Sequence, residues 1–405
     1  MPNTSAFEAF YPSSSLNGSG EPPCSKSAPR MRTPGTSRAN EDRDDDELDS
    51  CSCGAVLHRY RRRMRPWQAC FVHPGVGSVS NVVAGCPKKM VYGPCGGVQA
   101  DGSCEMQPAP CTFVEPISWP YPPAAAAPVR APVVLTDVSA PPADAAMLSR
   151  TARLLAPSCD AVLVGDHQDR PDFSPTLLAR LLHDAGVVPW VTLACRDRNR
   201  VVLEQELRSL RYDGFATVLC VTGDGRAFDV RPEVTQVFDL DGTRLAALAA
   251  SVGLPVAVAE TITARPTGLR PGRLVGKQRA GAGIAVLNIA SSVTQVAGFM
   301  AAAQQAGLTL PVIASVPVYT DERSAAVLSA LPGLELDPLG VRRVLDATDP
   351  VSAGIARAVE DAVALQRIVG VEGVNLSGMA SARGPMFAAE VQAEIGRAIK
   401  AGVQM

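Results

Sequence analysis

From about residue 133 onward, short apolar runs rich in β-branched residues alternate with stretches of helical period. The runs predict eight strands, which are, in chain order, 133–138, 161–166, 190–195, 216–223, 255–260, 285–290, 311–317 and 373–378. Amphipathic helices are predicted between most of them, for example at 177–185, 201–210 and 244–251. Eight β/α units have the size of a closed (β/α)8 (TIM) barrel.

An open, doubly wound α/β sheet would show the same alternation of strands and helices. No Gly-x-Gly-x-x-Gly sequence opens a helix after the first predicted strand, which disfavours the dinucleotide-binding form of that fold. The predicted fold class is therefore α/β, with residues 133–405 as the barrel.

The residues before the barrel have a different composition. Residues 1–50 are rich in Ser, Pro, Gly, Asn and Asp, which predicts a disordered N-terminal tail. Residues 51–120 contain seven of the eleven cysteines and many glycines and prolines, so we predict a small module that needs a metal or another staple. The Pro/Ala-rich residues 121–132 are predicted to be a semi-rigid linker.

Charge and hydropathy narrow the function classes. The formal net charge is −2, which gives no electrostatic reason to expect a nucleic acid partner. Charges, glycines or prolines break every apolar run before it reaches the length of a membrane span, and the N-terminus lacks the features of a secretory signal. We therefore predict a cytoplasmic protein without a membrane partner, in which cysteines stay reduced.

Polar residues follow the predicted strands at their carboxyl ends, where barrels of this kind carry their chemistry. They are Asp137, Asp166, Arg196, Asp197, Thr222, Asp224, Glu260 and Asn288. Carboxylates and amides in such a set suit a polar heterocycle and a proton transfer. Two simpler interpretations stay open: Arg196, Asp197 and Arg198 could form a salt-bridged loop, and Asp166 could cap a helix or turn.

Four stretches of the barrel resemble the methylenetetrahydrofolate reductase family in order and spacing. They are residues 190–200, 218–224, 237–241 and 277–282. The resemblance implies a (β/α)8 fold that binds a reduced folate and usually FAD.

The resemblance also implies roles for individual residues. Asp137 stands where the family has a Glu that acts as general acid, and the Pro141-Pro142 pair follows it. Asp224 matches the family acid that contacts the pterin, and Asn288 stands where the family has a folate-binding Gln. The remaining polar residues that we assign to cofactor binding are Asp166, Arg196, Asp197 and Thr222.

Several flavin contacts of the family are missing. After the fifth strand the family has a Tyr-Pro-Glu-x-His type of sequence, whereas this chain has Ala259-Glu-Thr-Ile-Thr-Ala-Arg-Pro266. Gly165 stands where a flavin-contacting Thr is usual. These differences predict that FAD binds weakly or not at all.

Four cysteines of the module, Cys86, Cys95, Cys104 and Cys111, are separated by intervals of nine, nine and seven residues. This spacing by itself leaves a metal site and reduced structural thiols both open. The segment is similar to a cysteine-rich module that accompanies methylenetetrahydrofolate reductases in some bacteria, which favours metal, either Zn²⁺ or a [4Fe-4S] cluster. A second site formed by Cys51, Cys53 and Cys70 is a further hypothesis.

Three functions follow. The first is reduction of 5,10-methylenetetrahydrofolate to 5-methyltetrahydrofolate with NAD(P)H, directly or through FAD. The second is a flavin-independent folate enzyme that delivers a one-carbon unit to another acceptor. The third is a non-catalytic folate-binding subunit. In the last two, the module would dock a partner, for example a redox protein.

Overall fold

The computed structural model describes residues 85–113, 119–167, 169–226, 231–331, 334–378 and 380–403. All of them belong to one compact unit, residues 70–405. The predicted disordered tail and the hypothetical second metal site at Cys51, Cys53 and Cys70 lie outside the described residues.

Eight parallel strands close into a barrel, as the sequence predicts. In chain order the barrel strands are β3 (Val134–Asp137), β4 (Ala161–Val164), β5 (Pro189–Ala194), β6 (Thr217–Val221), β7 (Val256–Glu260), β8 (Ile284–Leu287), β9 (Val312–Pro317) and β10 (Val371–Ser377). Each pairs in parallel with the next in sequence, and β10 closes the barrel by pairing with β3. Two short antiparallel strands, β1 (Ser103–Cys104) and β2 (Gln107–Pro110), precede the barrel.

Helices surround the barrel and fill the intervals between its strands. They are α1 (Ala145–Leu155), α2 (Pro175–Asp184), α3 (Arg200–Asp213), α4 (Gly242–Ser251), α5 (Arg270–Arg279), α6 (Val293–Gln305), α7 (Glu322–Ala330), α8 (Pro338–Leu345), α9 (Pro350–Gln366) and α10 (Pro385–Val403). Side chains of Ser174, Asn199, Asp241 and Ser292 accept backbone N–H groups at the starts of α2, α3, α4 and α6, which satisfies donors that a helix leaves free. No helix in the described ranges is long and apolar enough to cross a membrane.

The interior of the barrel is filled by residues that alternate along its strands. Leu135, Trp190, Leu219, Ile284 and Ile313 belong to one buried cluster inside the strands. Because side chains of a strand point to opposite faces in turn, Asp137 and Asn288 fall on the same inward face, at the carboxyl end of the barrel.

Residues 85–113, which we call the cysteine-rich segment, pack against the barrel. Val91 donates its backbone N–H to Asp241 at 2.9 Å, and Arg244 donates to the carbonyl oxygen of Lys89 at 2.9 Å. Tyr92 is buried, with its ring 4.8 Å from that of Trp119. The segment is therefore fixed to the loops at the start of α4.

The Pro/Ala-rich residues 121–132 have no helix or strand and run against the barrel. The backbone N–H of Ala124 donates to the carbonyl oxygen of Arg279 at 3.0 Å. Val129 and Ala131 pack against the apolar cluster inside the strands. This stretch therefore covers the amino-terminal end of the barrel, opposite the predicted site.

Candidate functional site

A cavity of about 270 Å³ opens at the carboxyl ends of the barrel strands; we call it the barrel-mouth cavity. Both the barrel and the cysteine-rich segment line it. The predicted site residues in its lining are Asp166, Arg196, Thr222, Asp224 and Asn288, and the segment contributes Lys88, Cys95 and Gly96. The fold therefore brings five of the residues predicted to bind substrate or cofactor, from four loops of the barrel, to one place.

Asp224 lies in the loop that follows β6 and faces the barrel-mouth cavity. Asp224 is exposed to the cavity, but the protein atoms around its carboxyl displace water and so raise its pKa; Lys88 and Arg196 oppose this effect. A carboxylate here can accept hydrogen bonds from the donor edge of a heterocycle.

Asn288 follows β8 on the inward face of the barrel. Its side-chain Nδ2 donates to Thr261 Oγ1 at 2.8 Å, and its backbone N–H donates to the carbonyl oxygen of Glu260 at 2.9 Å. These bonds fix the orientation of the amide, which lines the same cavity as Asp224.

Asp137 ends β3 and is held by the last barrel strand. Its carboxylate accepts hydrogen bonds from Asn375 Nδ2 at 3.0 Å and from Ser377 Oγ at 2.5 Å. Burial raises the pKa of Asp137 to about 6, although these two hydrogen bonds act to lower it. Asp137 is not among the residues that line the barrel-mouth cavity. It lies at the same end of the barrel.

Three of the four residues assigned to cofactor binding, Asp166, Arg196 and Asp197, lie in one group of ion pairs; the fourth, Thr222, lies apart from it. Asp166 pairs with Arg198, and Asp197 accepts from Arg196 at 2.8 Å. The hydroxyl of Thr222 accepts the backbone N–H of Gly242 at 2.9 Å.

The structure therefore contains the salt-bridged loop at Arg196, Asp197 and Arg198, which was one of the interpretations that the sequence left open. Asp166 nevertheless lines both the barrel-mouth cavity and a neighbouring cavity of about 200 Å³, which Asp197 also lines. Cofactor binding by these residues stays a prediction.

Glu260, the last residue of β7, is surrounded by three cations from α5, the helix that follows it. Its carboxylate contacts Arg273 and Lys277 at 2.8 Å each and Arg270 at 3.4 Å. Burial by itself raises the pKa of Glu260, but the three cations outweigh it and lower the pKa to about 2. Burial lowers the pKa of Lys277 to about 8, and Arg273 adds to this effect.

This cluster was not recognised as a unit from the sequence, although its spacing carried a signal. Arg270, Arg273 and Lys277 are separated by three and four residues, which places all three on one face of a helix. A helix with such a face directly after a strand that ends in Glu260 predicts a buried ion-pair cluster.

Arg270 also ties the cluster to the cysteine-rich segment. It donates to the carbonyl oxygens of Pro94 at 3.2 Å and Cys95 at 2.8 Å. The 94–96 stretch is thereby held against the end of β7, where the resemblance implies flavin contacts.

At this end of β7 the chain does not supply the flavin contacts that the resemblance implies. Neither an aromatic residue nor a His stands beside Glu260, whose carboxylate is paired with cations, and the 94–96 stretch packs next to it. The barrel-mouth cavity, about 270 Å³, is also slightly smaller than pockets that enclose drug-sized ligands, about 300–1,000 Å³. One bicyclic heterocycle suits this volume better than a flavin stacked on a pterin.

The four cysteines predicted to bind metal line one small cavity of about 20 Å³ within the cysteine-rich segment. All four are free thiols. In the part of the chain that the structure describes, no three His, Cys, Asp or Glu side chains are arranged closely enough to hold a metal ion. Metal binding by Cys86, Cys95, Cys104 and Cys111 therefore stays a prediction.

A protein family and several solved structures match parts of this chain. Residues 59–118 match the family described as methylene-tetrahydrofolate reductase C terminal, which confirms the resemblance predicted for the cysteine-rich segment. No curated protein matches the chain.

Solved structures that match the chain include two with 14% identity to it. One is an uncharacterized protein from Clostridium thermocellum that binds two copies of 5-methyl-5,6,7,8-tetrahydrofolic acid, with a TM-score of 0.49 over 67% of this chain and 96% of that chain. The other is tryptophan synthase from M. tuberculosis, with a TM-score of 0.37 over 68% of this chain and 92% of that chain.

Proposed function

Starting from the match of residues 59–118 to the reductase C-terminal family, we propose that the protein binds a reduced folate in the barrel-mouth cavity. We further propose that it reduces 5,10-methylenetetrahydrofolate to 5-methyltetrahydrofolate. The observation that carries the proposal is that this family-matched segment and the pterin-binding candidates Asp224 and Asn288 line one cavity.

The proposed binding mode uses the polar groups on two sides of the cavity. Asp224 accepts hydrogen bonds from the N–H groups of the pterin, and the amide of Asn288 supplies both a donor and an acceptor. The small volume selects for a bicyclic ring and leaves the aryl tail of the folate outside.

Asp137 is the proposed general acid. Because Asp137 does not itself line the barrel-mouth cavity, this role requires the bound folate to extend from the cavity towards the end of β3. With a pKa of about 6 it keeps a protonated fraction near neutral pH, as an acid catalyst requires. It donates a proton to N10 of the folate, the bond from N10 to the methylene carbon breaks, and an iminium forms at N5. Hydride from NAD(P)H then reduces the iminium carbon to a methyl group and leaves NAD(P)⁺.

No step of the proposed reaction passes through FAD, because the end of β7 lacks the flavin contacts that the resemblance implies. The same observation favours a second candidate, a flavin-independent folate enzyme that transfers the one-carbon unit to another acceptor. Four thiolates suit Zn²⁺ or a [4Fe-4S] cluster, and such a centre at the four cysteines would stabilise the segment that covers the barrel mouth.

Anaerobic assays of the full-length protein distinguish these functions. NAD(P)H oxidation that depends on 5,10-methylenetetrahydrofolate and yields 5-methyltetrahydrofolate, without flavin bands in the absorption spectrum, supports reduction. Folate binding without NAD(P)H oxidation contradicts reduction by NAD(P)H and is the result expected both of the second candidate and of a non-catalytic folate-binding subunit. Absence of folate binding contradicts all three functions.

Paired Asp→Asn variants test the residues. Asp137→Asn should lower kcat/KM by a factor of about 100 or more, in the range of lost acid catalysis. Asp224→Asn should lower kcat/KM by a factor of about 10 to 100, the range of a lost hydrogen bond to a charged group. The control is Asp160→Asn, which removes a carboxylate at the opposite end of the barrel, where Asp160 pairs with Lys400 at 2.8 Å. Turnover in the control should stay within about twofold of the unmodified protein, since surface pairs contribute little.

A further inference from the structure

Lys88 of the cysteine-rich segment is buried against the loop that carries Asp224. Its Nζ donates to the carbonyl oxygen of Gly223 at 2.7 Å, and it forms an ion pair with Glu105. The side chains of Lys88 and Glu105 are only 3% and 5% exposed. A buried ion pair thus lies where the segment meets the barrel.

Glu105 binds the same loop on the other side of Asp224. Its Oε2 accepts the backbone N–H of Gly225 at 2.9 Å. The pair therefore holds the carbonyl group before Asp224 and the N–H group after it. Both peptide units that determine where the Asp224 side chain points are bound to the segment.

Glycines allow this close approach. A Cβ atom at Gly97 would lie 1.8 Å from Glu105 Oε1, and one at Gly225 would lie 2.1 Å from the sulfur of Met106. A side chain at Gly97 would displace the Glu105 carboxylate within the segment, and one at Gly225 of the loop would displace the Met106 side chain.

The segment also contacts the Asn288 side of the cavity. A Cβ atom at Gly96 would lie 2.8 Å from Thr261 Oγ1, the same oxygen that accepts the hydrogen bond from Asn288. Gly96 thus lies directly against the hydroxyl that orients the amide. The segment therefore contacts the loop that carries Asp224 and the hydroxyl group that orients Asn288.

A purely structural contact does not need this ion pair. Burying two charges costs several kcal/mol of desolvation, and apolar side chains of similar volume often stabilise a fold as well or better. What charges add is directional hydrogen bonding to the backbone of one particular loop.

We propose that the cysteine-rich segment forms part of the folate site and that Lys88 and Glu105 are positioning residues for Asp224. This inference rests on the proposed function, because it concerns the same folate site. It assigns the segment to substrate binding instead of to docking of a separate partner.

Binding of 5-methyltetrahydrofolate to the full-length protein, measured by titration calorimetry, tests the proposal. Lys88→Met keeps most of the length of the side chain and removes its charge and hydrogen bonds. It should raise Kd about tenfold, which corresponds to about 1.4 kcal/mol. Lys88→Arg, which retains the charge, should recover most of the affinity.

Lys89→Met is the matched control. Lys89 is the neighbouring residue and also donates to a barrel carbonyl, that of Val237 at 2.8 Å, but it does not line the barrel-mouth cavity. The control should bind folate within about twofold of the unmodified protein, because its charge does not hold the Asp224 loop. Thermal unfolding of all variants shows whether a change in Kd accompanies a loss of folding.

Gly96→Ala provides a second variant in case Lys88→Met does not fold. The new methyl group must displace Thr261 and weaken its bond to Asn288, so Kd should again rise about tenfold. Unchanged affinity in the folded Lys88→Met variant overturns the positioning role of Lys88. If Lys88→Met does not fold, unchanged affinity in Gly96→Ala overturns the placement of the segment in the folate site. The proposed function stands in both cases. No binding by the unmodified protein overturns this inference and the proposed function together.

Discussion

Ser377 donates a hydrogen bond of 2.5 Å to the carboxylate of Asp137. Ser377 ends β10, the last strand of the barrel, and Asp137 ends β3, the first. Asn375, two residues earlier on β10, donates to the other carboxylate oxygen at 3.0 Å. Burial and these two bonds act in opposite directions on the pKa of Asp137. The balance between them sets the pH range in which Asp137 can donate a proton.

This balance predicts a pH profile. If protonated Asp137 is the acid, kcat/KM should be highest below about pH 6 and decline above it. Ser377→Ala removes a bond that stabilises the ionised form, so the pKa should rise and the decline should move to higher pH. Steady-state rates between about pH 5 and pH 9 measure the shift. Ser209→Ala, which removes a hydroxyl bonded to the carbonyl of Gln205 on α3, should leave the profile in place. A shift to lower pH would contradict the assignment.

The ion-pair cluster at the end of β7 predicts a large loss of stability on neutralisation. Glu260→Gln leaves Arg270, Arg273 and Lys277 buried without their anion, which should cost about 3–5 kcal/mol of unfolding free energy. Denaturant unfolding at neutral pH measures this loss. Glu233→Gln, which breaks an exposed pair with Arg231, should change stability by no more than about 0.5 kcal/mol. Equal effects of the two variants would show that the cluster does not stabilise the fold.

The cluster also predicts how stability depends on acid. The pKa of Glu260 falls from its ordinary 4.5 to about 2 on folding. Its contribution is therefore complete above about pH 4.5 and is lost as pH falls through about 2. Acid unfolding of Glu260→Gln should lack this component, which a comparison of unfolding free energies between about pH 5 and about pH 2.5 would detect.

If the four cysteines of the segment bind a metal ion or cluster, replacing any one of them should lower the metal content of the protein. In protein purified anaerobically, Zn or Fe measured by plasma mass spectrometry should be present, and Cys104→Ser should lower it to less than about half. Cys159→Ser is the control, because Cys159 is buried beside α1 and bonded to the carbonyl of Leu155. Metal that is absent from the unmodified protein, or equal in both variants, would argue for structural thiols.

Two helix glycines predict opposite effects of the same substitution. At Gly298 on α6, no atom lies within 4 Å of the position that a Cβ would take, so Gly298→Ala should stabilise the protein by about 0.5–1 kcal/mol. Gly396 on α10 lies against the backbone of Ser158, with only 2.5 Å from the Cβ position to its carbonyl oxygen. Gly396→Ala should therefore destabilise the protein, typically by about 1–3 kcal/mol. Melting temperatures of the two variants should move in opposite directions.

The barrel could be predicted from the sequence because its signals are local. Each strand is a short apolar run, and each helix between the strands has its own period. The placement of Asp224 and Asn288 at one end of the barrel follows from the rule that parallel strands share their carboxyl ends. None of this requires knowing which distant residues meet.

The contacts that complete the candidate site could not be predicted in this way. Lys88 and Gly223 are 135 residues apart, and nothing in the sequence near either residue indicates that they meet. Likewise, the elevated pKa of Asp137 depends on burial, which Ser377, 240 residues away, partly offsets. The sequence alone determined the strands, the helices and the polar residues at the strand ends. Only the tertiary structure decided which charges are buried together, because burial and pairing depend on packing between elements far apart along the chain.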